Sequence, residues 1–584
     1  MTTEEIARRP SRLRQHVPGL GLLHGYQRGW ARPDLVAGLV LAAILVPQGM
    51  AYAELAGLPA VTGLYTTIAC LVGYAVMGPS RVLVLGPDSS VSPLIFAAIM
   101  PIVAVSGDPG SAIVLGGMLA LLVGAVEIGL GVAKLGFVAD LLSVEVQIGY
   151  MNGLGVTIIV GQLPKLFGFS TDADGFIDEL RAFVSNLDQT QGTTLAVGLS
   201  VLVLLLVLPR VSRKVPAILV AIVAATVASA VLDLSAEGVA TVGALPQGLP
   251  TPGVPWTQLS DVVPLLVAAL GITLVSLTDT IATSTSFAAR RGDEVNPNQE
   301  MIGLGSANVA AGLFQGFAVS TSGSRTAVAE QSGAKSQVTG LVGAGAVALM
   351  LLFLNSLLAD LPQTALAAVV IAAALSLMNL PELRRLWQVR RTAFSLSLVA
   401  TAGVVLLGVL EGILVAVALA ILLFFRRSWW PHGVVLGRDE TGGWHQAAGR
   451  DDLEEVAGIV VYRWEAPLFF ANAGMLRQNL RALVRERQVR WIVLQCEAVT
   501  DVDVTAAEML EQLDKQLNAQ GVHVAFVELR DRLEALLLRY GLFETLDRDH
   551  FYPSMDAALA AIAAEDARHT DGITDPDPDE GAQR

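Results

Sequence analysis

Two polar stretches carry the side chains of this sequence that are best suited to binding chemistry, and both interrupt long apolar segments. Residues 86–93 read GPDSSVSP, and residues 320–326 read STSGSRT. Each combines helix-breaking residues with hydroxyl groups, and each is followed by an apolar run. Paired interruptions in the two halves of a membrane chain are the best sequence indication of a binding site near the bilayer midplane. Because the second stretch contains Arg325, the expected ligand is an anion.

Two helices that begin inside the membrane would supply most of this anion site. The first N–H groups of such a helix have no intrahelical partner, and the helix dipole places roughly half a positive charge there. Serine hydroxyls add donors, and Arg325 adds a cation that can hold an oxyanion through two hydrogen bonds, unless it pairs structurally with Asp88 or Asp279. In the first apolar span, residues 47–49 break the pattern and place Gln48 as a neutral donor. The predicted anion-binding residues are Gln48, Ser89, Ser90, Ser322, Gly323, Ser324 and Arg325.

Buried carboxylates are the candidates for carrying a coupling ion. Asp279 precedes Thr283 by one helical turn, so both face the same way. A carboxylate inside a membrane costs several kcal/mol unless it is paired, protonated or bound to a cation. Asp279 is therefore the leading coupling residue, either as a proton carrier or, with Thr283, as a sodium ligand; the alternative is a static partner for Arg325. Glu127 either shares the proton role or is a solvated residue at the edge of a helix packing face. Asp88 either caps a helix or contacts the ligand.

Composition places these residues in a membrane protein. The chain has 584 residues, of which 53% are hydrophobic and 16% charged, whereas soluble domains average about 25% charged residues. Residues 34–426 contain nearly all of the apolar runs. The prediction is a polytopic α-helical membrane protein with a soluble C-terminal domain.

The charges and cysteines exclude several other classes of protein. Much of the net charge of −15 comes from residues 571–580 and from loops such as 172–179, and an acidic end of this kind is typically solvated and disordered. There is no basic footprint for nucleic acid. Cys70 and Cys496 lie in settings too different for a disulfide, and neither a metal-ligand spacing nor a nucleotide-binding glycine-rich loop is visible, so no cofactor is expected. The arginine-rich first 33 residues lack the apolar core of a cleavable signal peptide.

Fourteen segments are predicted to be spans, given that about 20 apolar residues cross a bilayer. Under this count nearly all lysines and arginines of the loops fall on one side, with Lys165 and Arg181 on the other. Positive residues mark the cytoplasm, so we expect a multi-pass inner (plasma) membrane protein with both termini cytoplasmic. The third and tenth segments are too short or too polar to cross alone. The segments are 34–56, 60–78, 88–105, 111–133, 137–167, 191–209, 215–233, 260–289, 301–318, 324–334, 337–358, 363–379, 392–410 and 411–427.

The fourteen spans divide into two sets of seven, about 34–233 and 260–427. Because seven is odd, the second set has the opposite orientation to the first. The two polar interruptions fall at the third span of each set, which is what a 7+7 inverted repeat with half-helices meeting near the middle predicts. The alternative is that glycine and proline are simply common in membrane helices.

The soluble part alternates between strand and helix patterns, which predicts a small cytoplasmic α/β domain. Strands are expected at 458–462, 491–495 and 522–527, with helices near 472–486, 504–519 and 531–540. The predicted organisation is a cytoplasmic segment (1–33), a transport domain (34–427), a linker (428–453), the α/β domain (454–566) and an acidic disordered tail (567–584).

Several short motifs resemble the signature of sulfate permease (SulP) transporters and their animal relatives, solute carrier family 26. They are DLVAG at 34–38, PQGMAYA at 47–53, LAGLP at 55–59, GLY at 63–65, GPSR at 78–81 and GPD at 86–88. The segment 322–328, SGSRTAV, resembles the tenth-span motif of the same family. In the soluble part, LFFANA at 468–473 and DVDVTAA at 501–507 look like the family's STAS domain.

The resemblance implies a uracil-permease-like fold in which a core domain of spans 1–4 and 8–11 moves against a gate domain of spans 5–7 and 12–14. It also implies an anion between spans 3 and 10, docking of the STAS domain at the cytoplasmic side, and a homodimer. Gln48, Ser324 and Arg325 match residues that line the family's anion pocket, and Asp279 with Thr283 is similar to the sodium-site spacing of bicarbonate-carrying members. Val504 stands where related STAS proteins have a phosphorylated serine, so phosphoregulation is not expected.

These observations favour a secondary active transporter, not an enzyme, that moves a small oxyanion across the lipid bilayer with protons or sodium. Sulfate is the first candidate, and bicarbonate and C4-dicarboxylates are its rivals. A nucleobase transporter of the same architecture is disfavoured, because a neutral nucleobase does not need Arg325. An alternative of another class is an anion sensor that signals through the STAS domain.

Overall fold

The computed structural model describes residues 17–141, 143–171, 173, 175–212, 216–450, 452–542, 546 and 548–571. Residues 1–16 of the predicted cytoplasmic segment and residues 572–584 of the predicted acidic tail lie outside this range. The chain divides into two compact units, residues 1–420 and 421–584, and each unit is described by itself.

The described residues before 430 contain seventeen α-helices, and fourteen of them correspond one by one to the predicted spans. The other three are α1, α7 and α15. The bounds are α1 Pro18–Gly25, α2 Ala31–Leu55, α3 Ala60–Met77, α4 Ser92–Ser106, α5 Ser111–Val132, α6 Val144–Phe167, α7 Phe176–Ser185, α8 Gly192–Val211, α9 Ala217–Leu232, α10 Leu259–Ala289, α11 Pro297–Leu313, α12 Gly323–Gln331, α13 Val338–Phe353, α14 Gln363–Leu377, α15 Leu380–Val389, α16 Arg391–Leu407 and α17 Val409–Trp429.

The third helix of each set is short, as the sequence indicated. At about 1.5 Å per residue, the 15 residues of α4 and the 9 residues of α12 fall short of a hydrocarbon layer about 30 Å thick. A two-residue strand precedes each of them: β1 (Leu85–Gly86) before α4 and β2 (Ser320–Thr321) before α12. The two strands pair antiparallel, so the halves of the chain meet where both short helices begin.

Some predicted span boundaries differ from the structure for local reasons. The fifth span was expected from 137, but residues Gly136–Leu141 form a 3₁₀ helix and α6 begins only at Val144. The ninth span was expected at 301–318, yet α11 runs from Pro297 to Leu313, because Asn296 caps its N-terminus by accepting hydrogen bonds from two backbone N–H groups. The first residues of α11 are polar, so the hydropathy pattern did not indicate that the helix begins at Pro297.

The membrane helices pack in two groups. In the first, α5 lies against α11, α11 against α3, and α2 against α13; in the second, α6 lies against α14 and α16, and α14 against α8. These groups contain the spans expected for a core and a gate, respectively.

Glycines allow the closest of the helix contacts in the core group. A Cβ at Gly124 would lie 2.6 Å from the carbonyl oxygen of Gly305, and one at Gly312 would lie 2.6 Å from that of Gly117. Side chains at these positions would push α5 and α11 apart. Small residues at helix interfaces are the usual means by which membrane helices pack closely.

The second unit contains a six-stranded sheet in the order β4-β3-β5-β6-β7-β8. Strands β5 to β8 are parallel, whereas β3 pairs antiparallel with both β4 and β5. The bounds are β3 Gly433–Arg438, β4 Trp444–Gln446, β5 Ile459–Trp464, β6 Trp491–Gln495, β7 His523–Val527, β8 Phe551–Tyr552, α18 Ala473–Glu486, α19 Val504–Asn518, α20 Asp531–Arg539 and α21 Met555–Asp571.

Two predicted boundaries around this unit are wrong. Residues 428–453 were expected to be a linker, but they contain β3 and β4, and β3 is hydrogen-bonded to β5. The short, glycine-containing β3 lacked the alternation that marks a strand. The domain was expected to end at 566, but α21 continues to Asp571. Cys496 is buried in this unit, and burial raises the pKa of its thiol to about 12, so the thiol stays neutral at physiological pH.

Candidate functional site

The pairing of β1 with β2 brings the two polar stretches together. Leu85 lies opposite Thr321, and Gly86 lies opposite Ser320. The pairing is extended by the N–H of Ser322, which donates to the carbonyl oxygen of Val84 at 3.1 Å. The first turns of α4 and α12 therefore lie side by side within the core group, as an inverted repeat requires.

Asp88 stabilises the turn that leads into α4, whose N-cap residue is Val91. Its Oδ1 accepts hydrogen bonds from the N–H and the hydroxyl of Ser90, at 3.0 and 2.9 Å. Its carbonyl oxygen accepts from the N–H and the hydroxyl of Ser92, at 3.0 and 2.8 Å. The N–H of Ser92 is thus occupied and Pro93 has none, so this helix end offers few free donors, and the nearby carboxylate offsets its positive dipole.

The N-terminus of α12 is more open. Ser322 is its N-cap, and Ser322 Oγ accepts from the N–H of Arg325 and lies 3.1 Å from Ser324 Oγ. Among the described residues, no acceptor is found for the N–H groups of Gly323 and Ser324, and both residues are exposed. These two N–H groups, with the one hydroxyl of the serine pair that does not donate to the other, give this end the free donors that an anion needs.

Arg325 lies across the strand pair and not on an open surface. Its Nη1 donates to the carbonyl oxygen of Pro87 at 2.6 Å, and its Nη2 lies 3.4 Å from Asp88 Oδ2. The residue is only 1% exposed. Of the two acids that sequence reasoning left open as partners, Asp88 is the one that pairs with it. Among the residues that the structure describes, the Nε of Arg325 has no hydrogen-bond partner, so the N–H of Nε is an unused donor.

A cavity of about 910 Å³ lies against the two helix ends. Of the predicted anion-binding residues, the structure places Gln48, Ser89, Ser322, Gly323 and Ser324 on its wall. Ser90 and Arg325 are buried and do not line it, and Arg325 lies behind its wall residue Asp88. In the described part of the chain, the Oε1 of Gln48 is buried and has no hydrogen-bond partner. Because this oxygen is an acceptor, the donors that the wall offers to a small anion are those at the start of α12.

The two residues predicted as a coupling pair on α10 also line the cavity. Asp279 and Thr283 lie one turn apart on the same face of this helix. Asp279 Oδ1 accepts a hydrogen bond of 3.4 Å from Nε2 of Gln147, on the gate helix α6. Within the described residues, Asp279 has no cationic partner at ion-pair distance, unlike Asp88.

Glu127 is absent from the cavity wall and is fully buried between α5, α10 and α11. It accepts hydrogen bonds from Ser276 Oγ at 2.7 Å and from Asn308 Nδ2 at 2.8 Å. Asn308 Oδ1 in turn accepts from the N–H of Val319, just before β2, at 2.8 Å. The interpretation of Glu127 as a solvated residue is wrong, because a carboxylate on a glycine-lined helix face is covered by the helices that pack there.

The cavity extends towards one side of the membrane group. Its wall includes Pro209 at the end of α8, Ala217 at the start of α9, Gln331 at the end of α12 and Leu377 at the end of α14. These helix ends lie next to loops that carry arginine and lysine. On the opposite side, Glu54 of α2 forms an ion pair of 3.6 Å with Lys165 of α6, which joins the core group to the gate group there.

Three residues at the site were missed by sequence reasoning. Tyr52 and Thr321 line the cavity, and Gln147 contacts Asp279. Tyr52 follows Gln48 by four residues and so shares its helix face, a signal that was present in the sequence. Gln147 comes from the gate group, and only the packing of the two groups shows that contact.

Comparison with known proteins identifies the family. The model of the sulfate permease family matches residues 32–400, and that of the STAS domain matches residues 452–558. A probable sulfate transporter of Mycobacterium tuberculosis (strain CDC 1551 / Oshkosh) is 41% identical over 549 residues, which cover 94% of this chain and 98% of the relative. The chain belongs to the sulfate permease family.

Solved structures of sulfate permease relatives have the same fold. The murine solute carrier 26 family member A9 anion transporter, in its inward-facing state, superposes with a TM-score of 0.88 at 25% identity and covers 97% of this chain and 96% of that one. The transmembrane domain of the bicarbonate transporter BicA of a cyanobacterium superposes with a TM-score of 0.59 at 23% identity, covering 68% of this chain and 98% of that domain.

The family assignment confirms the predicted fold: fourteen spans in a 7+7 inverted repeat of core and gate, with a C-terminal STAS domain. As a sulfate permease family member, the chain is an anion transporter and not an enzyme. The cavity at the two half-helices is the candidate site for its substrate.

Proposed function

We propose that this sulfate permease family member is a secondary active transporter that moves sulfate across the inner membrane, coupled to protons or sodium. It works as a homodimer by an elevator-like movement of core against gate, with both termini in the cytoplasm. The 41% identical relative is named a probable sulfate transporter, and the loop charges favour this orientation. The observation that carries the proposal is the open N-terminus of α12 on the wall of the cavity.

The substrate oxyanion binds chiefly to the α12 side of the cavity. The free N–H groups of Gly323 and Ser324 and the hydroxyls of Ser322 and Ser324 belong to residues of the cavity wall, whereas at the start of α4 the N–H of Ser92 is bonded to Asp88 and Pro93 has none. Arg325 adds positive potential from behind the wall, and its unpaired Nε is a further donor close to the two strands. A dianion gains more from such a site than a neutral solute does, because the field acts on its charge.

Asp279 supplies the coupling. Its carboxylate lines the same cavity and, among the described residues, has no cation beside it. An ionised Asp279 therefore repels a dianion, and the repulsion is strong in a partly desolvated cavity. A proton on Asp279, or a sodium ion held by Asp279 and Thr283, removes this repulsion. Anion and cation then bind together, which is the requirement for symport.

Opening to the other side requires the core to move relative to the gate. In this structure the cavity extends towards the basic loops, which are cytoplasmic in the proposed orientation, while the ion pair between Glu54 and Lys165 joins core and gate on the far side. The hydrogen bond from Gln147 to Asp279 also crosses between the two groups. Both contacts change partners when the core carries the site across the membrane.

Bicarbonate is the second candidate substrate. It is favoured by Asp279 and Thr283, which lie one turn apart on the cavity wall with the spacing of the sodium site in bicarbonate-carrying members. C4-dicarboxylates are a further rival within the family. Because donors and dipoles serve all of these anions, the ranking requires a direct measurement.

A proteoliposome uptake panel tests the proposed function. The purified chain is reconstituted, and uptake of labelled sulfate, bicarbonate and fumarate is measured with imposed proton or sodium gradients. We expect sulfate to accumulate only when one of these gradients is present. If bicarbonate were taken up in preference to sulfate, bicarbonate would be the substrate. If sulfate bound saturably but no anion were taken up, an anion sensor would be favoured over a transporter.

A further inference from the structure

Helix α15 lies between two membrane helices with almost no connecting chain. Two residues separate it from α14, which ends at Leu377, and one residue separates it from α16, which begins at Arg391. Its start is fixed by Asn379, whose Oδ1 accepts from the N–H of Glu382 and whose N–H donates to Asn152 of α6 at 2.9 Å. Because both neighbours are membrane helices, α15 starts and ends at the membrane surface and must run along it.

The outer face of α15 is apolar and uncovered. Leu380 and Trp387 lie two turns apart on this face and are 56% and 52% exposed. Tryptophan is enriched at the membrane–water interface, where its ring lies at the level of the lipid headgroups. An amphipathic helix at this place buries such residues among headgroups and upper acyl chains instead of exposing them to water.

Arginines surround this apolar face. Arg384, Arg385, Arg390 and Arg391 are all exposed, and the guanidinium of Arg391 lies 5.5 Å from the ring centroid of Trp387. Only Arg385 has an ion-pair partner among the described residues, Glu382 at 3.2 Å. The other three arginines have no carboxylate in the described chain to neutralise their charge, and they lie near a tryptophan of the kind found at membrane surfaces. Clusters of basic residues at this place attract anionic lipids.

We propose that α15 is a lipid-binding helix, and that Arg384 and Arg385 within it and Arg390 and Arg391 directly after it hold the phosphate groups of anionic phospholipids and so fix the gate group in the membrane surface. Guanidinium groups suit phosphate oxygens because they offer several donors in a planar arrangement. The proposal is independent of the transported substrate, and the proposed orientation decides only that the lipids belong to the cytoplasmic leaflet.

The inverted repeat provides an internal comparison. Helix α7 occupies the same place in the first set, between its fifth and sixth spans, and exposes apolar residues such as Ile177 and Val184. Its charges are different: Asp178 and Glu179 outnumber Arg181, which pairs with Asp178 at 3.2 Å. The basic character of α15 is therefore not a general requirement of this position, and it occurs where anionic lipid is expected.

Lipid-specific quenching of Trp387 tests the proposal. The full-length chain is reconstituted in phosphatidylcholine vesicles that contain brominated phosphatidylglycerol or brominated phosphatidylcholine at equal mole fraction, and the Trp387 signal is obtained by difference from Trp387→Phe. We expect quenching to be about twofold stronger with the anionic lipid, since four basic residues enrich it locally. In the variant with all four arginines changed to glutamine, the ratio should fall to one.

The matched control is Arg181→Gln on α7, which should leave the ratio unchanged. If the variant that lacks the four arginines does not fold, the parent chain is measured at high salt instead, and the quenching ratio should then fall because salt screens the arginine charges. A ratio of one in the parent, or a preference that survives loss of all four arginines, would overturn the proposal. Absence of quenching by either lipid would also overturn it, because Trp387 would then be covered by protein.

Discussion

Replacing Arg325 with alanine is expected to abolish sulfate uptake and to destabilise the membrane unit. The substitution leaves the carboxylate of Asp88 inside the protein without its cation, and removal of one partner of a buried ion pair costs about 3–5 kcal/mol. It also removes the positive potential behind the cavity. Uptake by proteoliposomes should fall to background, and the thermal midpoint measured by a fluorescence unfolding assay should decrease.

A double variant separates binding from folding in this experiment. Asp88→Asn combined with Arg325→Ala leaves no unpaired charge, so the thermal midpoint and the oligomeric state should recover towards those of the parent. Uptake should still be reduced about tenfold, which corresponds to a loss of about 1.4 kcal/mol of anion binding, since the positive potential behind the cavity wall is removed. Normal uptake by a folded double variant would show that Arg325 only neutralises Asp88.

Replacing Asp279 with asparagine is expected to uncouple transport from the ion gradient. Asparagine carries no charge, so it no longer repels a dianion or binds the coupling cation, while its amide can keep the hydrogen bond to Gln147. Exchange of internal for external sulfate should continue, but accumulation driven by an imposed proton or sodium gradient should be lost. Counterflow and gradient-driven uptake, measured on the same preparation, distinguish the two activities.

Glu127→Gln is the matched control for Asp279→Asn, because it removes a buried carboxylate that does not line the cavity. Glutamine can still accept from Asn308, while Ser276 turns its hydroxyl to the carbonyl oxygen of Thr273, which it already approaches at 3.1 Å. Gradient-driven accumulation should therefore persist. If Glu127→Gln lost accumulation and Asp279→Asn kept it, the coupling role would move to Glu127.

The number and order of the elements were predictable because they depend on the length of each apolar run and on the charges of the loops beside it, and both can be read from the local sequence. Apart from the third and the tenth, each of the fourteen spans is a long apolar run, and the two interruptions are visible as residues that a helix in lipid does not tolerate. Because each set contains seven spans, residues 86–93 and 320–326 fall at equivalent positions of two oppositely oriented repeats. This relation follows from the count of spans and needs no knowledge of packing. Strands β5, β6 and β7 were equally clear, since buried parallel strands are nearly continuous apolar runs.

The orientation of the site side chains was not predictable, because it depends on pairing between distant segments. The register of β1 with β2 places Arg325 against Asp88 and behind the cavity wall, and no sequence pattern contains that register. Glu127 looked like a helix-edge residue until the close approach of α5 and α11 covered it. Strands β3 and β4 were missed because a short antiparallel addition to a sheet has little periodicity of its own.

Protection of a cysteine at the start of α12 is the most direct test of the central claim that the oxyanion binds there. Ser324 is exposed to the cavity, and the native Cys70 and Cys496 are buried, so Ser324→Cys should be the main site for a small thiol reagent. Ser376→Cys on the wall near the end of α14 is the control. Sulfate should slow modification at position 324, with half-protection near the concentration that half-saturates uptake, and leave position 376 unaffected. Saturable sulfate uptake without any protection of position 324 would contradict this site.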